Sequence, residues 1–186
     1  MHPTDKEIVR EVLAGKKQRF AEIVTRYQQP VFNLMLRSTR DEYDAADLTQ
    51  EVFCKAYKKL ATYRPEFSLF SWLYTLAINV ANDWGRSQAR AHRRLQALKY
   101  GDLNSTIITF GNNDTEARER EKMLEAALAQ LQTETREILI LRYRHEQPVR
   151  DVASAFKMTE SAVKMRVKRG LEQLQKILSE MNDHVR

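Results

Sequence analysis

The fold is decided by residues 149–178, which read VRDVASAFKMTESAVKMRVKRGLEQLQKIL. The spacing of the apolar residues predicts a short helix over 149–156 and a longer helix from Thr159 to about Leu178. Between them lie Lys157 and Met158, so the turn is tight. A short helix, a tight turn and a longer helix are the outline of a helix-turn-helix, a motif that binds duplex DNA.

The second of these helices has two faces of different chemistry. Projection at 100° per residue groups the residues expected to point into a core: Val163, Val167, Gly170 and Leu174. The opposite face carries Ser161, Lys164, Met165, Lys168 and Arg169. Such side chains can read base edges in a major groove, whereas Arg166 lies on the flank, where a phosphate contact is expected. A solvated basic helix that enters no groove stays open as the alternative.

Two further helices are predicted ahead of this motif. The first follows Thr115, with an apolar stripe made of Met123, Leu124, Ala127, Leu128 and Leu131. The second contains Ile138, Leu139, Leu141 and Arg142. Residues 101–114 are rich in turn residues and lack a helical period, which favours a linker. Because this segment holds Ile107, Ile108 and Phe110, we expect it to dock on another surface.

The first 90 residues predict four helices that form one domain. Thr4 and Glu7 make a capping box before the first helix, which Gly15 stops. Apolar residues then recur at spacings of three and four, and Pro30 should kink or split that second helix. Asp44 is the expected N-cap of the third helix, and a loop over 61–68 precedes the fourth.

The third and fourth helices each show an apolar stripe. The stripe of the third consists of Leu48, Val52, Phe53, Ala56 and Leu60, with Asp47, Gln50 and Glu51 off the stripe. The fourth helix is expected from about Leu69 to Arg90. Its inward residues are Leu73, Leu76, Ala77, Val80 and Trp84.

Composition favours an all-α chain of two small helical domains joined by a flexible linker. The 186 residues are 42% hydrophobic and 30% charged, enough for one modest core or two small ones. Five Gly and four Pro are too few for the turns of a sandwich, a barrel or a doubly wound sheet. We expect the domains to span 1–95 and 118–186, with the linker at 96–117.

Several classes of protein are excluded or disfavoured. No apolar run approaches the roughly 20 residues of a membrane span, and the N-terminus lacks a secretory signal, so we expect a cytoplasmic protein without direct membrane insertion. Cys54 is the sole cysteine and is interpreted as a packing residue rather than a redox sensor. The four His lack metal-ligand spacing, and no nucleophile or phosphate-loop motif occurs. We therefore expect no enzyme activity, no metal and no cofactor.

Charge is distributed in local runs. The net charge is +6, which suits an anionic partner. Residues 84–99 and 157–176 are basic runs, and residues 41–51 are acidic. Two basic surfaces and one acidic surface indicate nucleic acid together with a separate protein partner. Ordinary solvated helix faces stay the alternative for each run.

Aromatic residues within 67–74 lie close in sequence to Asn79, Asn82 and the basic run that begins at Arg86. Exposed aromatic rings beside positive charge are typical of surfaces that stack unpaired bases. For Phe70 and Trp72 the alternative is the core, because aromatic residues at helical spacing usually pack inside.

Four motifs in order carry a resemblance to a known family. They are DAADLTQEVFCKAY at 44–57, FSWLYTLAIN at 70–79, LILRY at 139–143 and VKMRVKRG at 163–170. Together they resemble the bacterial sigma-70 family, and the short two-domain layout is similar to its extracytoplasmic-function (ECF) group. The resemblance covers about residues 18–95 and 118–178.

The resemblance implies a dissociable initiation subunit of RNA polymerase, with three sets of contact residues. The set that binds core RNA polymerase would be Asp47, Leu48, Gln50, Glu51 and Phe53. The set that captures the single-stranded minus-ten element would be Phe67, Ser68, Trp72, Tyr74, Asn79, Asn82 and Arg86. The set that reads the duplex minus-thirty-five element of promoter DNA would be Ser161, Lys164, Met165, Arg166, Lys168 and Arg169. The resemblance also implies an anti-sigma factor, often membrane-anchored in this group, as an inhibitory partner.

The sequence departs from the family pattern at several positions. Lys157 stands where Gly is usual and should adopt left-handed geometry, Thr133 stands where Pro is common, and Pro148 replaces a capping Ser or Thr. Met165 and Lys168 differ from the usual residues, so the promoter sequence does not follow from relatives. The rival interpretation is a conventional helix-turn-helix regulator that binds duplex DNA as a dimer, which leaves the acidic helix around Asp47 unexplained.

Overall fold

The computed structural model describes residues 3–96 and 115–183, with side chains over 3–91 and 119–182. These residues form helices and turns without any strand, so the all-α prediction is confirmed. The chain divides into two compact units, Met1–Ile107 and Ile108–Arg186. Within the described ranges, no helix is both long and apolar enough to span a membrane.

The described residues of the first unit, 3–96, form four helices. They are α1 (Asp5–Leu13), α2 (Phe20–Thr39), α3 (Glu42–Lys59) and α4 (Leu69–Gln96), with short 3₁₀ turns at Lys17–Arg19 and Leu60–Thr62. α2 packs against both α3 and α4, and α3 also packs against α4. Their shared core includes Ile23, Val31, Leu34, Met35, Val52, Leu69, Leu73 and Ala77. Burial of each large aliphatic side chain stabilises the unit by roughly 1.5–3 kcal/mol.

Asp5, the first residue of α1, forms side-chain hydrogen bonds to α2. The predicted capping box is present, with the Thr4 backbone N–H donating to the Glu7 carboxylate at 2.7 Å. Asp5 accepts from the Arg26 guanidinium at 2.7 Å and from the Tyr27 hydroxyl. Burial of the ring, together with the Asp5 hydrogen bond, raises the pKa of Tyr27 above its usual value.

The structure corrects two local expectations in this unit. α2 runs from Phe20 to Thr39 as one helix, so Pro30 does not split it. The missing Pro30 N–H removes one backbone hydrogen bond, and buried residues on both sides keep the helix in place. The N-cap of α3 is Asp41 rather than Asp44, because the Asp41 side chain accepts from the Asp44 backbone N–H at 2.9 Å.

The second unit contains the predicted helix-turn-helix. Its helices are α5 (Thr115–Ala129), α6 (Thr133–Leu139), α7 (Val149–Phe156) and α8 (Glu160–Asp183), with a π-helical turn at Ile140–Arg144. α5, α6 and α7 each pack on α8. A small core joins Ala127, Leu131, Leu139 and Ile177.

The predicted linker falls mostly outside the described residues. α4 continues to Gln96, beyond the expected end near Arg90, and α5 begins at Thr115. Ile107, Ile108 and Phe110, which we expected to dock, lie outside the described residues.

Candidate nucleic-acid interface

The outward face of α8 consists of the residues that periodicity selected. Ser161, Lys164, Met165, Lys168 and Arg169 are all exposed. Met165 is 51% exposed, a large fraction for an apolar side chain. On the inward side Val163 is fully buried and Gly170 is buried. The face therefore presents basic, hydroxyl and apolar groups outward while the opposite side packs on the unit.

Close packing between α6 and α8 fixes how that face is presented. A Cβ placed on Gly170 would lie 2.8 Å from Thr135 Cγ2 and 3.2 Å from Leu139 Cδ1. Both distances are shorter than the roughly 3.5–4.0 Å at which carbon atoms normally rest. Gly170 therefore permits an approach of the two helices that a side chain would prevent.

The turn before α8 has the geometry expected from its sequence. Lys157 adopts φ 54° and ψ 41°, the left-handed conformation that glycine occupies most easily. The Met158 N–H donates to the Ala153 carbonyl at 2.9 Å and closes the turn. Thr159 then caps α8, because its hydroxyl oxygen accepts from the Ala162 N–H at 3.1 Å. Pro148 occupies the N-cap of α7 without a side-chain hydrogen bond.

Arg166 differs from its neighbours on α8 because it is paired with a residue of another helix. Its guanidinium donates to the carboxylate of Glu134 on α6. The sequence predicts that Arg166 contacts a phosphate, and in the structure its guanidinium forms an ion pair with Glu134. Sequence reasoning missed Glu134, since the two residues lie 32 positions apart.

The loop before α4 and the start of that helix form a second polar and aromatic surface. Phe67, Ser68 and Trp72 are half-buried. The Tyr63 hydroxyl donates to the Phe67 carbonyl at 2.8 Å, and the Tyr63 and Trp72 ring centroids lie 5.9 Å apart. Ser68 accepts from the Ser71 N–H at 3.2 Å, which caps the helix. These contacts hold the loop against the helix.

Farther along α4, Asn79, Asn82 and Arg86 are exposed and recur at spacings of three and four on one helix face. Arg86 donates to Asp83 at 2.6 Å. That hydrogen bond, with the positive charge of Arg86, holds the pKa of the Asp83 carboxyl below its usual value.

Tyr74 does not belong to this surface. Its side chain is 0% exposed, and its hydroxyl accepts from the Arg37 guanidinium at 2.9 Å. Its ring lies 5.4 Å from that of Phe70, which is also buried. Tyr74 is a core residue, so the base contact expected of it is not available here.

The five residues proposed for polymerase binding divide into two groups. Asp47, Gln50 and Glu51 are exposed on α3, whereas Leu48 and Phe53 are buried. Glu51 pairs with Lys55 at 2.6 Å within the same helix. The exposed three form the acidic face of α3, and the buried two hold α3 in the unit.

An open groove between α2 and α3 was missed by sequence reasoning. Its lining includes Phe20, Val24, Phe32, Phe53 and Cys54. Cys54 is exposed, so its interpretation as a packing residue was wrong. The sequence contained a signal for the exposure of Cys54, because Gln50 and Glu51, one helical turn earlier, lie off the apolar stripe.

Tyr43, near the start of α3, is 86% exposed.

Two family descriptions match the chain, one in each unit. Sigma-70 region 2 matches residues 23–91, and Sigma-70, region 4 matches residues 121–174. The first match includes α3 and most of α4, and the second includes the helix-turn-helix.

Two sequence relatives align over nearly the whole chain, and a solved structure shares the fold. The RNA polymerase sigma-H factor of Pseudomonas aeruginosa is 28% identical over an alignment that covers 94% of this chain and 93% of that protein. The ECF RNA polymerase sigma-E factor of Haemophilus influenzae is 26% identical over 178 residues, covering 92% and 94%. The sigma factor RpoE of Bartonella quintana, solved with the anti-sigma factor NepR, has the same fold at a TM-score of 0.65 and 21% identity, covering 86% and 96%. With both sigma regions matched in order and near full-length relatives of this kind, the chain belongs to the sigma-70 family and to its extracytoplasmic-function group.

Proposed function

We propose that this chain directs core RNA polymerase to a particular set of promoters as a dissociable initiation factor. The observation that carries the proposal is the presence of two unlike surfaces, the outward face of α8 and the acidic face of α3. A factor that only binds duplex DNA needs the first surface. An initiation factor needs both, because it must also bind the polymerase.

The outward face of α8 is proposed to read the minus-thirty-five element as duplex. Lys164 and Arg169 can donate to guanine, which presents two acceptors in the major groove. The Ser161 hydroxyl and the Met165 side chain can contact thymine, whose methyl group is apolar. Lys168 pairs only at 4.0 Å with Glu172, and exposed pairs of this kind are weak, so its ammonium can still reach DNA.

The surface on α4 is proposed to hold the minus-ten element as a single strand. The partly exposed rings of Phe67 and Trp72 can stack on unpaired bases, an interaction worth roughly 1–3 kcal/mol per base. The Asn79 and Asn82 amides can both donate and accept hydrogen bonds at base edges. Arg86 completes the face with a positive charge for the backbone. Ser68 contributes by capping α4 beneath the loop.

The acidic face of α3 is proposed to bind the core enzyme. Asp47 and Glu51 lie one helical turn apart and share the exposed side of α3 with Gln50. Their carboxylates suit a basic partner surface, while Leu48 and Phe53 act indirectly by packing α3 against its neighbours.

An anti-sigma factor is proposed as the inhibitor. The motive is that RpoE of Bartonella quintana was solved with the anti-sigma factor NepR. The groove between α2 and α3 adjoins the acidic face, so one inhibitor could cover both. A pull-down from uninduced cells should recover such a protein, and its addition should block binding to core polymerase. Recovery of core polymerase without any inhibitor would contradict this part of the proposal.

The test of the main proposal is transcription in vitro by purified core RNA polymerase on a pool of genomic promoter fragments, with and without this chain. We expect start sites that appear only when the chain is present, with a shared upstream sequence. Salt-sensitive binding to duplex fragments without any transcript would instead favour the dimeric regulator. The domain limits 1–95, 96–117 and 118–186 stay a prediction, which limited proteolysis can check.

A further inference from the structure

An ion pair joins α6 to the flank of the DNA-reading face. The Nη1 group of Arg166, near the start of α8, donates to Oε2 of Glu134, in the first turn of α6. The Arg166 side chain is 32% exposed and the Glu134 side chain is 50% exposed. Both groups can therefore be reached by a ligand that approaches the outward face.

The position of Glu134 follows from the packing of the two helices. Thr135, its neighbour in sequence, contacts α8 beside Gly170, at the close approach described above. Glu134 precedes Thr135 by one position and projects beside α8 toward Arg166. The close contact of α6 and α8 therefore brings Glu134 within reach of Arg166.

A phosphate and the Glu134 carboxylate compete for the Arg166 guanidinium. A guanidinium binds carboxylate and phosphate with the same fork of N–H groups. A phosphate contact by an unpaired Arg releases about 0.9 counterion from duplex DNA. The Arg166 and Glu134 pair brings no net charge to the phosphate, so it releases far fewer.

We propose that Glu134 limits the affinity of this chain for DNA by holding the Arg166 guanidinium in an ion pair, so that Arg166 makes no full phosphate contact while Glu134 carries its charge. The inference rests on the proposed function of α8 and adds a residue of α6 to it. Glu134 is a positioning residue here, since it acts on DNA through Arg166.

The test compares the wild-type chain with Glu134→Gln, each bound to core RNA polymerase, on a promoter duplex recovered in the transcription assay. Affinity is measured between 50 and 200 mM salt. The plot of log K against log salt should be steeper for the variant by about 0.9, because Arg166 then adds a full phosphate contact. The affinity advantage of the variant should accordingly shrink about 3.5-fold across that range.

The Arg166→Gln background separates the proposed hold of Glu134 on Arg166 from simple repulsion between Glu134 and DNA. Glu134→Gln should leave the slope unchanged when Arg166 is absent. The matched control is Glu180→Gln, which removes the same charge from a carboxylate paired with Lys176 at the far end of α8. It should also leave the slope unchanged.

Three results would overturn the inference. One is an equal steepening by Glu134→Gln in the Arg166→Gln background, and another is an equal steepening by Glu180→Gln. The third is an unchanged or shallower slope for Glu134→Gln while the wild-type chain still directs transcription. A wild-type chain that directs no transcription would instead refute the proposed function, and this inference with it.

Discussion

Gly170→Ala tests whether the contact between α6 and α8 is as close as the structure shows. An added Cβ would lie 2.8 Å from Thr135 Cγ2 and 3.2 Å from Leu139 Cδ1. Restoring a normal separation of about 3.6 Å requires the side chains or α6 itself to move by roughly 0.8 Å. Gly170 lies on α8, the helix that carries the outward face, so we expect this contact to affect DNA binding as well as stability.

Two opposing terms set the magnitude. Replacing Gly by Ala inside a helix stabilises it by about 0.8–1 kcal/mol. Overpacking a close contact destabilises by roughly 1–3 kcal/mol. Because the shorter distance involves a half-buried Thr135 on a neighbouring helix, we expect overpacking to dominate, with a net loss of about 1 kcal/mol. For a unit of this size that lowers the melting temperature by about 4–8 °C.

The assay must report on the second unit alone. Both tryptophans, Trp72 and Trp84, lie in the first unit. Tryptophan fluorescence therefore reports the unfolding of the first unit and not of the second. Hydrogen exchange of α6 and α8 peptides, read by mass spectrometry, measures the opening of the second unit directly. Gly85→Ala in α4 is the matched control, because nothing lies within 4 Å of its Cβ position. That control should stabilise the first unit.

Thr135→Ser provides the rescue. Serine lacks the Cγ2 methyl that an alanine at 170 would meet first, so the double variant should recover part of the lost protection. Stabilisation by Gly170→Ala, as at Gly85, would refute the close contact. Failure of Thr135→Ser to recover any protection would show that Thr135 is not the group in the way.

The remaining predictions concern the turn and the two binding faces. Lys157→Gly should stabilise the second unit by about 0.5–1 kcal/mol, measured by denaturant unfolding. Left-handed geometry costs a non-glycine residue roughly 1–2 kcal/mol, and the larger conformational entropy of unfolded glycine offsets part of the gain. The control Lys157→Ala retains a Cβ and should show no gain in stability. Lys164→Ala and Arg169→Ala should each weaken promoter-duplex binding by roughly 1–3 kcal/mol per lost base contact, and unchanged occupancy by both would reject the groove assignment. Asp47→Arg with Glu51→Arg should abolish co-purification with core polymerase while circular dichroism stays unchanged, and retained co-purification would assign the acidic face to another partner.

The helix-turn-helix could be predicted because its causes are local. The apolar period places Val163 inward and Lys164 outward without reference to any other helix. The left-handed conformation of Lys157 was implied by the family resemblance, because Gly is usual at this position of the turn. Features that depend only on neighbouring residues can be predicted from the sequence.

Contacts between distant residues could not be predicted in this way. Glu134 and Arg166 meet because α6 and α8 pack closely. The periodicity within either helix does not predict which other helix it packs against. The N-cap of α3 was misplaced for a related reason. Arg40 ends α2 in the left-handed conformation at φ 60°, so the very next residue, Asp41, is already extended and caps α3. The position of one cap depends on where the previous helix stops.

Tyr74 shows how packing on two sides changes the meaning of an apolar stripe. The periodicity of α4 selects Leu73 and Ala77 as inward residues, which leaves Tyr74 on the edge of the stripe. α4, however, contacts both α2 and α3, so its buried arc is wider than one stripe and includes Tyr74 and Ile78. The exposed part of α4 begins at Asn79 and includes Asn82, Asp83 and all of residues 85–91. We therefore expect a single strand along α4 to be held through Asn79, Asn82, Arg86 and the half-buried rings at the start of the helix, and we expect substitution of Tyr74 to act through folding alone.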